Sequence, residues 1–266
     1  MISIVTPYYN RKRLFIETLK SIAKSAYKDF EVIAVDDASI EDERIEDLIT
    51  EFPFLKVIRL EEKDKWYFNS CIPFNIGIAK ADGDIIMLQN PECLHVHDVL
   101  AYIATAVNND NYITMSAYSL NKELTENLPS QIDKADFINY FKSLPQQLLR
   151  DYVGWCNHSK FRPCYFHFCV ALTKKNMKIL GGFDERYADG TGYEDNDFVD
   201  RVGKLELKKI INDDVSVIHQ WHPIVYDITN PKYAKGWRIN GSLFAKTRKE
   251  KGYSINNSYE IRNDAN

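Results

Sequence analysis

The stretch GGFDERYADGTGYEDNDF (181–198) holds the densest group of side chains that could do chemistry. Glu194, Asp195 and Asp197 fall within four residues there. Carboxylates so crowded repel one another unless a cation or a hydroxyl-rich ligand sits among them. The competing account is that they cap a helix, whose dipole favours negative charge in its first turn. Gly181-Gly182 supply a turn, and Gly190 and Gly192 permit close backbone approach. A second acidic pair, Asp36-Asp37 in VDDAS, directly follows an apolar, β-branched run. A carboxylate at a strand end can accept hydrogen bonds from a ribose hydroxyl or a base N–H; one of the two can also cap the next helix and leave the other free. In a third place, GDIIMLQNPECLHVHD (83–98), a buried strand runs into the polar turn Gln89-Asn90-Pro91-Glu92. Cys93, His95 and His97 alternate beyond it and would share a face, but no fourth residue with zinc-ligand spacing accompanies them.

These groups need elements to carry them. ISIVT reads as a strand, and Phe15, Leu19, Ile22 and Ala26 then recur at helical steps. FEVIAV (30–35) reads as a strand, EDERIEDLITEF as a polar-faced helix, KVIRL (56–60) as a strand, CIPFNIGIAKA as a helix and DIIML as a strand. Strands separated by helical segments imply right-handed crossovers and a mostly parallel sheet of the α/β class. Ligands of such sheets sit beyond the carboxyl ends of the strands, where Thr6-Pro7, Asp36-Asp37 and 89–92 all lie. Farther on, YITMSAY (112–118) and YFHFCVALT (165–173) read as strands, NDFVDRVGKL as a helix, and DVSVIHQWH as a strand leading to a loop. Residues 120–151 read as a variable surface region. From 232 to 250 the chain is rich in Lys and Arg, with Trp237, Ile239, Leu243 and Phe244 interspersed.

A length of 266 residues allows a sizeable core in one or two domains. A net charge of −4 argues against a general nucleic-acid binder. No apolar run approaches the ~20 residues of a membrane span, and the first residues show no secretory signal pattern. The five cysteines (Cys71, Cys93, Cys156, Cys164, Cys169) are irregularly spaced, which favours free thiols and a cytoplasmic setting. The sequons at Asn157, Asn240 and Asn256 are then chance occurrences.

In order, VTPYYNR, VDDAS, NIGIAKADGDII, GGFDERY and GYEDNDF resemble a family 2 glycosyltransferase of the GT-A fold over about residues 1–222. GGFDER…GYEDNDF also resembles the Glu-Asp segment of galactosyltransferases. The resemblance implies a GT-A α/β domain over 1–222, with a nucleotide-binding half (1–98), an acceptor-binding half (99–222) and a helical extension at 223–266. It implies that Thr6, Pro7, Tyr8, Asp36, Asp37, Asn75, Gln89 and Asn90 hold the nucleotide of a UDP-sugar. Asp195 would be the general base of an inverting transfer, with Glu194 binding sugar hydroxyls. Family members carry a metal on an Asp-x-Asp turn. Here no aspartate occupies 89–91, so the metal would fall to Glu92 with His219 and His222, a set that suits Mn²⁺ better than Mg²⁺. Metal-free binding, with Glu92 only a turn residue, is the competing account. Trp221 and Tyr193 would contact the acceptor, a glycan or glycoconjugate. Trp66 would line the pocket or serve the core, and Arg11 and Arg13 would reach the diphosphate or remain surface charges.

A catalytically inactive sugar-nucleotide-binding module is a second reading, favoured by the altered metal turn and opposed by the retained Glu194-Asp195. A sugar-nucleotide pyrophosphorylase is a third, but it needs a glycine-rich basic loop after the first strand, and TPYYNRKR has no glycine. The basic helix in the extension is expected to pack on the catalytic domain; covering the active site, a dimer contact or peripheral contact with a membrane surface are the alternatives.

Overall fold

The computed structural model describes residues 1–128, 137–223 and 229–255. A nine-stranded sheet runs through both halves of the sequence. Its strands are β1 (Ile2–Tyr8), β2 (Phe30–Asp37), β3 (Leu55–Leu60), β4 (Ile85–Gln89), β5 (Cys93–His95), β6 (Asn111–Ser119), β7 (Gly154–Asn157), β8 (Cys169–Thr173) and β9 (Lys208–His219). They are ordered β3-β2-β1-β4-β8-β6-β9-β5, with β7 on β6. The first four are mutually parallel, as the alternating pattern of the first ninety residues requires. Beyond β4 the sheet is mixed: β8 is antiparallel to β4 and β6, whereas β9 is parallel to β6.

Helix α1 (Lys12–Ala23) buries Leu14, Phe15, Leu19 and Ile22 against one face of the sheet, the stripe its periodicity dictates. Helix α2 (Cys71–Ala79) is apolar apart from Asn75 and lies on the other face. It comes so close that a Cβ on Gly77 would stand 2.4 Å from a methyl of Val5. Helices α3 (Val99–Ala106), α4 (Lys122–Glu126), α5 (Phe137–Ser143), α6 (Lys174–Leu180), α7 (Glu194–Lys204) and α8 (Pro231–Thr247) complete the described helical elements. Among the described residues no helix is long and apolar enough to cross a membrane.

Three local expectations change. EDERIEDLITEF forms two short 3₁₀ turns, Glu41–Glu43 and Glu46–Ile49, rather than a helix. Its acids are drawn to different partners: Glu43 accepts the Lys12 N–H at 2.7 Å, and Glu46 takes both Arg59 donors at 2.5 and 2.7 Å. In YFHFCVALT the strand begins only at Cys169, because Tyr165 turns the chain with φ 61°. Cys93–His95 forms a strand that the pattern does not announce; it pairs antiparallel with the end of β9, Cys93 opposite His219.

Helix α8 starts with Asn230 as cap and Pro231 at its first turn, and packs across 187–193. Asn240, wholly buried, donates to the carbonyls of Tyr187 (3.0 Å) and Gly192 (2.8 Å). Asn157 is also buried, bonded to Met115 O at 2.9 Å, so neither sequon side chain faces outward; Asn256 lies outside the described residues.

Candidate active site

Where the parallel strands end, a cleft of about 620 Å³ opens. One wall is the turn after β4. There Glu92 is 1% exposed, yet surrounded by cationic and imidazole groups. Its Oε2 lies 2.7 Å from Arg11 Nη1; its Oε1 lies 3.0 Å from His219 Nε2 and 3.3 Å from His222 Nε2. Burial by itself would raise this carboxyl, but Arg11 and then the two histidines hold it well below the usual range. Local folding explains the cluster. Strand β5 follows Glu92 at once and, by pairing Cys93 with His219, sets the carboxylate beside the end of β9. Ligand atoms of Glu92, His219 and His222 lie within 4.8 Å of one another, the one such group of three found among the described residues. A carboxylate kept anionic beside two imidazoles is a donor set that fits a borderline divalent cation.

The start of α7 also lines the cleft. Tyr193 precedes it with φ 70°, a left-handed turn that ends the glycine-bearing loop and delivers Glu194 and Asp195 to the cleft. Glu194 accepts from Asn69 Nδ2 at 2.6 Å. Burial, and then the neighbouring Asp195 charge, raise its carboxyl. Asp195 abuts Nδ1 of the buried His167. Burial opposes charge on that imidazole, but Asp195 and Glu194 outweigh it and raise its pKa. Asp197, one turn on, is turned inward to Arg201 at 2.7 Å; Arg201 also donates to the carbonyls of Leu180 and Gly182 at 2.9 Å each. Of the three crowded acids, two face the cleft and one braces the loop.

The arrangement can bind a cation and an anionic group and also present a carboxylate pair. A family model described as "Glycosyl transferase family 2" matches residues 3–168. The chain belongs to that family. Among curated relatives, the chondroitin synthase of Escherichia coli is 30% identical over 224 residues, covering 74% of this chain and 31% of that one. An uncharacterized glycosyltransferase of Rickettsia bellii is 29% identical over 119 residues, 42% of this chain and 16% of its own. The chain thus spans less than a third of the curated relatives it matches. Among solved structures, S. aureus TarS 1-349 in complex with UDP-GlcNAc superposes with a TM-score of 0.59 at 16% identity, over 94% of this chain and 68% of that one. The mannosyltransferase PcManGT of Pyrobaculum calidifontis, in complex with GDP-Man and Mn²⁺, gives 0.54 at 17%, over 93% and 62%. These likenesses show the GT-A fold. The protein is a family 2 glycosyltransferase of that fold.

In this glycosyltransferase the cleft gathers Pro7, Tyr8, Asp37, Asn90, Glu92, His219, His222, Glu194 and Asp195 from the residues singled out in the sequence. Trp66 and Arg11 join them, Arg11 through Glu92. Others are elsewhere. Thr6 is enclosed within β1. Asp36 is wholly buried; it accepts the Ser39 N–H at 2.8 Å and faces Arg59 at 2.8 Å, so it shapes the turn while Asp37 reaches the cleft. Asn75 spends its amide on the backbone of Phe183, donating to its carbonyl and accepting from its N–H, both at 2.8 Å. Gln89 bonds Cys93 O (2.7 Å) and His95 (2.8 Å), closing the turn from within. The same bond, with Ser216 N–H on His97 Nδ1 at 3.1 Å, gives both alternating histidines structural partners. Trp221 lies outside the main cleft beside Lys122, its backbone N–H donating to the Thr125 hydroxyl. Tyr193 turns its ring onto Trp237 and Phe244 of α8, away from the cleft.

Lys65, Tyr67, Asn69 and His167 went unremarked in the sequence. Lys65 and Tyr67 bond the two oxygens of Asp37 at 2.8 and 2.6 Å. Burial raises that carboxyl, and these two bonds act against the rise. A histidine inside the apolar run YFHFC was the one available signal for His167.

Proposed function

We propose that this enzyme is an inverting transferase that moves a sugar from a UDP-sugar to a hydroxyl of a glycan. One observation carries the reading: Asp195 lines the same cleft as the Glu92–His219–His222 cluster. A nucleotide-sugar laid across the sheet edge would put its diphosphate toward that cluster and its anomeric carbon toward the acids. Asp195 then takes the proton of the acceptor hydroxyl as that oxygen attacks the anomeric carbon and the bond to the diphosphate breaks. The single far-side base gives inversion; retention would call for a second nucleophile or a front-face path. His167 holds the Asp195 carboxylate in place, and Glu194 receives sugar hydroxyls. Asp37 accepts from the base or ribose, with Pro7, Tyr8 and Asn90 alongside. Glu92, His219 and His222 would hold Mn²⁺ or Mg²⁺. Such a cation offsets charge on the departing nucleoside diphosphate.

UDP as the nucleotide carrier is in keeping with the UDP-GlcNAc of the TarS complex, and a glycan acceptor with the product that names the chondroitin synthase. Nucleotide release measured over a panel of UDP- and GDP-sugars, with Mn²⁺ and in excess chelator, tests the proposal. Metal-dependent UDP release is the expected result. Full activity in chelator removes the metal, and release confined to GDP-sugars removes UDP.

A further inference from the structure

A second cavity, of about 150 Å³, adjoins the cleft. Ser70 and Glu194 line both spaces, so the two share a boundary there. On the far side the cavity is closed by Trp237 of α8, from a part of the chain outside the family-model match. Trp237 is 44% exposed, unusual for an indole held so firmly. Its six-membered ring rests on Gly192, where a Cβ would come within 2.5 Å of Cζ3, and its centroid lies 4.8 Å from the Tyr193 ring. Helix α8 is in turn fixed by the two hydrogen bonds of Asn240. The ring is therefore a rigid, half-open platform, with Thr191 and Ser70 hydroxyls and the Glu194 carboxyl around it.

One broad apolar face within a polar rim complements a pyranose ring, which offers a face of C–H groups and an edge of hydroxyls. We propose that this cavity binds one sugar unit of the acceptor, with Trp237 as its stacking platform and specificity determinant. This rests on the reading above: a saccharide whose reactive hydroxyl meets Asp195 passes Glu194 and lays its ring on Trp237. Trp237 thereby selects saccharide acceptors from the second cavity, whereas Lys232 and Tyr233 of the same helix line the main cleft.

The test has two arms on the whole chain. Binding of UDP by calorimetry reports the donor side. Retention on a printed array of defined oligosaccharides reports the cavity. The wild type is expected to hold a subset of the glycans, Trp237→Phe to keep them, and Trp237→Ala to bind them roughly tenfold more weakly with UDP affinity unchanged. Trp237→Gln, which keeps bulk over Gly192, is the second variant should the alanine form not fold. No glycan held by the wild type, or equal retention by Trp237→Ala or Trp237→Gln, overturns the proposal. Absence of UDP binding in the wild type counts against the donor reading alone, because the array decides the cavity independently.

Discussion

Two glutamates, one buried and one half-buried, line the same cleft and have opposite tendencies. Glu92 is enclosed and Glu194 half-buried, and burial pushes both carboxyls upward. At Glu92 a guanidinium and two imidazoles reverse the push and keep the group anionic. At Glu194 the nearest charge is another carboxylate, Asp195, which adds to it; Asn69 and His167 act the other way without overcoming the rise. The residue type is the same and burial acts in the same sense on both, so the charged partners set the direction. In the proposed reaction the Glu92 cluster would hold a cation and the diphosphate, and the Glu194–Asp195 pair would handle hydroxyl protons.

That contrast can be broken from either side. The largest effect is expected from Asp195→Asn: kcat falls by about 10²–10⁴ while UDP affinity, which the Glu92 cluster would govern, is unchanged. An Asn variant as active as wild type removes Asp195 from the base role. Next, Glu92→Gln takes the carboxylate from the metal group and leaves Arg11 unpaired. Mn²⁺ affinity, read by the thermal shift on titrating the ion, is expected to weaken by roughly 10–100-fold. An unchanged titration means the cluster is not a metal site. Gly192→Ala perturbs the acid wall through its backbone: φ is +67° and the new methyl meets Trp237, so a stability loss of roughly 1–3 kcal/mol is expected in denaturant unfolding. Equal stability would mean α8 yields freely.

The smallest effect is a pH dependence at His167. Its folded pKa is raised by Asp195 and Glu194, so its contribution is complete below the ordinary histidine value of about 6.5. The contribution is lost as pH rises through the higher folded value. The melting difference between wild type and His167→Gln should then be greatest near the acid end of that range and shrink on going alkaline. A difference that grows with pH contradicts the His167–Asp195 pair.

Much of the architecture was legible in one dimension. Apolar periodicity located β1 to β4 and helices α1 and α2, because each must bury one stripe or both faces. The same reading placed Asp37, Asn90 and the turn before Cys93 at strand ends, where a parallel sheet collects its ligands. It also found Glu194-Asp195 at a helix start. It could not divide neighbouring acids by role. Asp36 and Asp37 differ only in which way the chain turns them, and Asp197 is withdrawn from the cleft by Arg201, four residues on. Asn75 and Gln89 have polar ends suited to a nucleotide, but nearby backbone groups take them first.

The sequence by itself determined the α/β order of elements and the chemical inventory of the cleft. Both stem from local periodicity and residue type. Only the tertiary structure decided that Arg11, Glu92, His219 and His222 meet, that His167 backs Asp195, and that Trp237 stands beyond Glu194. Those contacts join residues far apart in the chain. Their geometry depends on how strands pair and helices pack across the whole chain, which no short window of sequence contains.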